Sequence, residues 1–206
     1  MKKILPLAIF LILILIIGFY GYKSINKSIE EETQGGATGV SGVDLTSELE
    51  KNLQEEKELL NPPINKQLPS EWTLVIPKIN VRWKVVDGND TDKALLAGFW
   101  HYPNTTYPDE VGNLVILGHR WVYKYPDPRT LYALDKLQKG DEIIIYYKQR
   151  EYKYKTVDMF TIKPDDFSTL GGSNKPILTL VTSHPIGSGG VWAKERLILK
   201  ADLQKS

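Results

Sequence analysis

The sequence predicts a mainly β domain, a barrel or sandwich of seven or eight short strands, placed behind an apolar N-terminal run and a polar stalk. Three observations carry this. From Trp72 onward, short apolar runs are separated by Pro, Gly, Asp and Asn. Between Ile4 and Tyr22 there is no charged side chain, and between Ser24 and Ser70 the composition turns polar, with clustered Glu, Gly, Ser and Thr. The chain therefore divides into 1–22, an N-terminal membrane anchor; 23–70, a stalk; and 71–206, the folded domain.

The anchor follows from length. A helix over Ile4–Tyr22 nearly crosses a bilayer core of about 30 Å. The run exceeds the usual apolar segment of a cleaved leader, and no small-x-small cleavage site follows it. Lys2 and Lys3 before the span face Lys23 and Lys27 after it, so the positive-inside rule leans towards a cytoplasmic N-terminus. The expected location is the cell membrane, single-pass, with the body of the chain on the extracytoplasmic side.

In the stalk, Thr33–Ser47 cannot bury a core. Ser47–Leu60, rich in Glu, Lys and Leu, predicts an amphipathic helix ended by Pro62 and Pro63, with Leu49, Leu53 and Leu60 on one face. It is read as a solvated spacer in preference to a helix docked on the domain. Candidate strands are Trp72–Ile76, Val81–Val86, Asn113–Leu117, Glu142–Lys148, Glu151–Phe160, Ile177–Thr182 and Arg196–Leu203. A hairpin is expected around Gln149 and Arg150, and short helical turns over Thr91–Leu96 and Arg129–Leu137.

Composition removes several function classes. Formal net charge is +1, so no global field recruits nucleic acid, and no nucleic-acid partner is expected. Cysteine is absent, which excludes disulfides, thiolate metal sites and a thiol nucleophile. Acidic residues are dispersed without metal-ligand spacing, so no cofactor is expected. Three polar residues stand where strands end: His119 after Leu114–Gly118, Ser183 after Leu178–Thr182, and Arg196 at the start of the last strand. Loops at strand ends are where rigid scaffolds commonly place catalytic groups. Each also reads as an ordinary loop, turn or surface residue. His101, in a Pro-flanked aromatic segment, reads as structural, and His184 should face away from Ser183, because neighbours in an extended segment point to opposite sides.

The words around these residues resemble the sortase family, the surface transpeptidases mainly of Gram-positive bacteria. The resemblance spans Trp72–Leu203 in the family's order: Leu74–Ile79; Val85–Gly88; Ala94, Leu95 and Gly98 with His101-Tyr102-Pro103; Gly112–Arg120; Leu137 with Gly140-Asp141; Thr179–Thr182; and Glu195–Leu199. It implies an eight-stranded β-barrel in which a cysteine attacks the threonyl carbonyl of a Leu-Pro-x-Thr-Gly type sorting signal of a surface protein. An amine acceptor, such as a peptidoglycan precursor or a pilin lysine, then resolves the acyl-enzyme. By motif, His119 matches the family's histidine, Arg196 its arginine and Ser183 the position of its cysteine. Some family members also hold calcium at a loosely built site.

Ser183 is a departure. A hydroxyl does not ionise near neutral pH and needs a base, whereas a thiol does so measurably. A serine version needs His119 neutral and within about 3 Å, preferably oriented by a third group, and the sequence offers no obvious carboxylate for that. Three readings stay open: an engineered trap, a homologue with degenerate chemistry, and a serine transpeptidase. A non-catalytic homologue that binds sorting signals or partners an active sortase is the alternative function. Two further departures are the glycine-rich Pro185–Lys194 segment with Trp192, which borders the expected site, and Asp109, which should only alter a turn.

Overall fold

The protein is described by a computed structural model covering residues 45–184 and 195–205. The run Ile4–Tyr22, the first part of the stalk and the segment 185–194 with Trp192 lie outside the described residues. Among the described residues no helix is long and apolar enough to cross a membrane.

Eight strands close a barrel: β1 (Thr73–Ile76), β2 (Val81–Val86), β3 (Phe99–His101), β4 (Asn113–Leu117), β5 (Glu142–Tyr147), β6 (Arg150–Ile162), β7 (Ile177–His184) and β8 (Glu195–Leu203). Around the barrel the order is β1-β2-β3-β4-β7-β8-β6-β5. All neighbours are antiparallel except β2–β3 and β4–β7. Parallel neighbours need a crossover. Between β2 and β3 this is the short helix α2 (Thr91–Ala97), started by Asp90, whose side chain accepts the Lys93 N–H at 3.2 Å.

Strand alternation fills the interior. Leu114, Ile116, Leu178, Leu180, Leu199 and Ile145 are essentially inaccessible to water, and each such side chain stabilises the fold by about 1.5–3 kcal/mol. A second, outer cluster of Val115, Val181 and Ile198 lies on the opposite face of β4, β7 and β8, with Leu117, Phe160 and Leu170 against it. Lys200 Nζ donates to the Thr169 carbonyl at 2.6 Å, holding the β6–β7 connection near this face, and burial pushes its ammonium below the ordinary lysine value.

Several expectations change. The eighth strand, β3, is not among the seven runs that the sequence offers as strands. The hairpin turns one residue earlier, at Lys148 and Gln149, both left-handed with φ of 51° and 57°, the geometry that matches strand twist in a two-residue hairpin. Asp109 does more than alter a turn: its carboxylate pairs with Lys148 at 2.8 Å and ties the β3–β4 loop to that hairpin. Of the helical turn expected over Arg129–Leu137, only Leu134–Lys136 is helical, as a single 3-10 turn.

The stalk helix exists as α1 (Leu45–Leu60), and its end is docked rather than solvated. Leu59 and Leu60 pack on the barrel core. The Tyr152 hydroxyl donates to the Leu60 carbonyl at 3.2 Å, Arg150 donates to the Pro62 carbonyl, and Lys205 pairs with Glu55 at 2.8 Å. Burial raises the Tyr152 phenol to about 12. Leu49 and Leu53, further up the helix, stay exposed. A cleft of about 320 Å³ bordered by Glu55, Leu59, Lys175 and Leu203 is the seam of this docking.

Candidate active site

Ser183 lies inside β7 rather than beyond it, directly opposite Arg196 of β8. Facing residues in an antiparallel pair sit about 4.5–5.5 Å apart at Cβ. Because Leu178 and Leu180 point into the barrel, alternation turns Val181 and Ser183 outward; Leu197 and Leu199 likewise send Arg196 and Ile198 outward. The pair therefore stands at one edge of the outer apolar cluster. Arg196 Nη1 donates to the Glu195 carbonyl at 3.4 Å.

His119 is brought alongside by bonds on either side of it. β4 and β7 run parallel with Leu117 opposite Val181. The next residue continues the ladder: Gly118 N–H donates to the Val181 carbonyl at 3.0 Å, and Thr182 Oγ1 donates to the Gly118 carbonyl at 2.8 Å. Glycine is required at this point, since a Cβ on residue 118 would lie 2.7 Å from Phe99 Cδ1 and 2.9 Å from Leu131 Cγ. Beyond it, His119 is half-buried and its carbonyl accepts the Leu131 N–H at 2.8 Å. Arg120 then donates from Nη1 to the Ser183 carbonyl at 3.4 Å. Residues 118 and 120 both hold β7, which sets His119 between them at the level of Ser183.

Partial burial pushes the His119 imidazole below its usual value, and the field of the Asp92 carboxylate on α2 opposes that shift. A neutral imidazole at pH 7 is the form that accepts a proton. The sequence had suggested no carboxylate for His119; Asp92 acts across the β2–β3 crossover, a proximity that spacing does not announce. Arg120 and Asp135, 2.5 Å apart, were also not singled out as site residues. The available signal for Arg120 was a charged residue three positions past an apolar run.

His184 faces away from Ser183, with its Nδ1 3.6 Å from Glu195 Oε2. His101 is far from this end: it closes β3 at the opposite end of the barrel, buried, with Nδ1 2.7 Å from Asp87 Oδ1. Among the described residues there is no group of three or more His, Asp or Glu that could hold a metal ion.

Comparison with known proteins agrees with this architecture. Residues 74–204 match the sortase domain family model. The chain is 30% identical to sortase D of Bacillus subtilis (strain 168) over 207 residues, covering 96% of this chain and 97% of that protein. Among solved structures it resembles a Clostridium perfringens sortase D5 transpeptidase, with TM-score 0.55, 25% identity and coverage of 86% and 94% of the two chains. It also shares its fold with sortase C-1 of Actinomyces oris, with TM-score 0.56, 23% identity and coverage of 70% and 82%. The chain belongs to the sortase family, whose members are generally cysteine transpeptidases.

Proposed function

We propose that this chain is a membrane-anchored transpeptidase acting on Leu-Pro-x-Thr-Gly type sorting signals, with residue 183 as the acylated position and His119 and Arg196 as its partners. The observation that carries this reading is the outward-facing Ser183–Arg196 pair at the edge of an apolar face, with His119 on the neighbouring strand end. The apolar residues of a sorting signal suit Tyr102, Leu117 and Leu170, which cover the buried Val115, Val181 and Ile198 and stay partly exposed themselves.

In the reaction, Ser183 Oγ bonds to the threonyl carbonyl carbon and passes its proton to His119. Arg196 faces the oxygen that becomes negative, where a fixed positive charge has most effect. The C–N bond breaks, the departing amine takes the proton from His119, and an ester remains. An acceptor amine attacks that ester and returns the proton to Ser183 through His119. The anchor over Ile4–Tyr22 holds the domain at the membrane surface, where peptidoglycan precursors and newly exported proteins meet it.

The hydroxyl at residue 183 favours low turnover, and so keeps a second reading in play: a homologue that holds sorting signals without cleaving them. Ser183→Cys separates the two. The variant is expected to release the leaving fragment from Leu-Pro-x-Thr-Gly type peptides, to accumulate a thioester detectable by mass, and to far exceed the serine protein. A variant that binds such peptides but forms no thioester across the library decides for the binding reading. If the serine protein already turns over and loses this with His119→Ala, Ser183 is itself the nucleophile.

A further inference from the structure

We propose that Arg120 is a positioning residue: it supplies the strand neighbour that β7 lacks at its end, and thereby fixes residue 183 beside His119. The proposal rests on residue 183 being the reacting position. It begins with main-chain accounting. Val181 O accepts Gly118 N–H at 3.0 Å, and carbonyls two residues apart along a strand point the same way. Ser183 O therefore faces the β4 side, but β4 has ended at Leu117 and the chain has turned off, with His119 O bonded to Leu131 N–H at 2.8 Å. A carbonyl left unpaired there would be costly and free to swing. Arg120 Nη1, 3.4 Å away, takes its place.

The guanidinium is itself held. Its Nη2 lies 2.5 Å from Asp135 Oδ1, and its carbon sits 5.1 Å from the centre of the Trp121 ring. The side chain is only 5% exposed, and Nε is buried without a hydrogen-bond partner. Replacing both members of a buried ion pair by apolar side chains of similar volume is often neutral or stabilising, so stability alone does not account for the Arg120–Asp135 pair. The rigid fork does what an apolar group cannot: it joins the end of β7, the turn that carries His119, and the Leu134–Lys136 turn. It also places a permanent positive charge behind residue 183.

The test reads thiol reactivity, so it does not depend on finding the right peptide. The chain carrying Ser183→Cys has a single thiol, since the sequence contains no cysteine. Its alkylation by iodoacetamide is followed by mass from pH 5 to 10. The other titratable and charged groups near residue 183 among the described residues are His184 beside it on β7, Arg196 and Glu195 on β8, and His119 after β4, with Asp92 acting on His119 and Asp135 behind Arg120; all stay in every variant. Adding Arg120→Gln is expected to slow alkylation at pH 7 at least about tenfold and to move the midpoint up by about one pH unit. Arg120→Lys, which keeps the charge but not the fork, should recover part of the shift. Leu203→Ala, a core change at the other end of the barrel, should leave the midpoint where it was. Identical profiles with Arg and Gln at 120 overturn the proposal, as does an equal shift from Leu203→Ala. If Arg120→Gln does not fold, Arg120→Lys decides, and a profile equal to that of Ser183→Cys alone overturns it. A shifted midpoint without peptide product in any variant removes the transpeptidase reading and leaves the role of Arg120 standing.

Discussion

The two ends of the barrel each carry a histidine, and they are built in opposite ways. At the end where α1 docks, His101 is saturated. Its Nδ1 is 2.7 Å from Asp87, its Nε2 is 3.2 Å from the Thr106 carbonyl and 3.1 Å from Thr105 Oγ1, and its ring lies 5.0 Å from Trp72 and 4.8 Å from Tyr107. At the other end, His119 is half-buried and its ring makes no hydrogen bond among the described residues, while residues on either side of it are tied to β7. A ring with both nitrogens engaged cannot exchange a proton without breaking what holds it. A ring fixed through its backbone, with nitrogens unengaged, can. The backbone does for His119 what side chains do for His101.

The contrast can be broken experimentally. In the Ser183→Cys background, His119→Ala is expected to lower turnover by about 10²–10⁴-fold, while changing stability by less than about 1 kcal/mol; a matching fall in melting temperature would show that His119 is structural too. His101→Ala should do the reverse. Losing its contacts with Trp72 and Tyr107 is expected to cost about 2–4 kcal/mol, seen as a fall in Tm of roughly 5–15 °C, with alkylation of the thiol at position 183 unchanged in the folded fraction.

The smallest effect concerns protons. The His119 value in the folded chain lies below its unfolded value near 6.5, so the native state binds fewer protons between the two. Stability should therefore fall as pH drops from about 6.5 through the folded value, and His119→Gln should remove that part of the slope. Asp92→Asn removes a charge that raises the His119 value, so the midpoint followed by NMR should move further down. An upward movement would contradict the field assigned to Asp92.

Much of this was legible in the chain. Runs such as Asn113–Leu117 and Ile177–Thr182 stand out because they are apolar nearly throughout, one face filling the barrel and the other the outer cluster, and their ends pointed to His119 and Ser183, as the start of the last run pointed to Arg196. β3 was missed because a strand of three residues beside a helix has no period to read; its pairing with β2 and β4 makes it a strand. The docking of α1 was missed because it depends on partners about 90 residues away, Arg150 and Tyr152. In the sequence Arg120 stands only as the last residue of the run Gly112–Arg120. Only the end of β4 opposite Val181, short of the end of β7 at His184, gives it a carbonyl to hold.

Closure of the barrel also decides how any extended chain can be met at this surface. Each of the eight strands already has a neighbour on both sides, and the Ser183 carbonyl is taken up by Arg120. No open edge is offered along the paired strands for an arriving segment to join as an added strand, the route by which many proteins capture peptides with little regard to sequence. A segment lying across β4, β7 and β8 must be told apart by its side chains, against the partly exposed Tyr102, Leu117 and Leu170 that cover the outer cluster. A closed sheet thus turns recognition here into a matter of shape and apolarity, and leaves the domain with little tendency to stack on its own copies when many are crowded together.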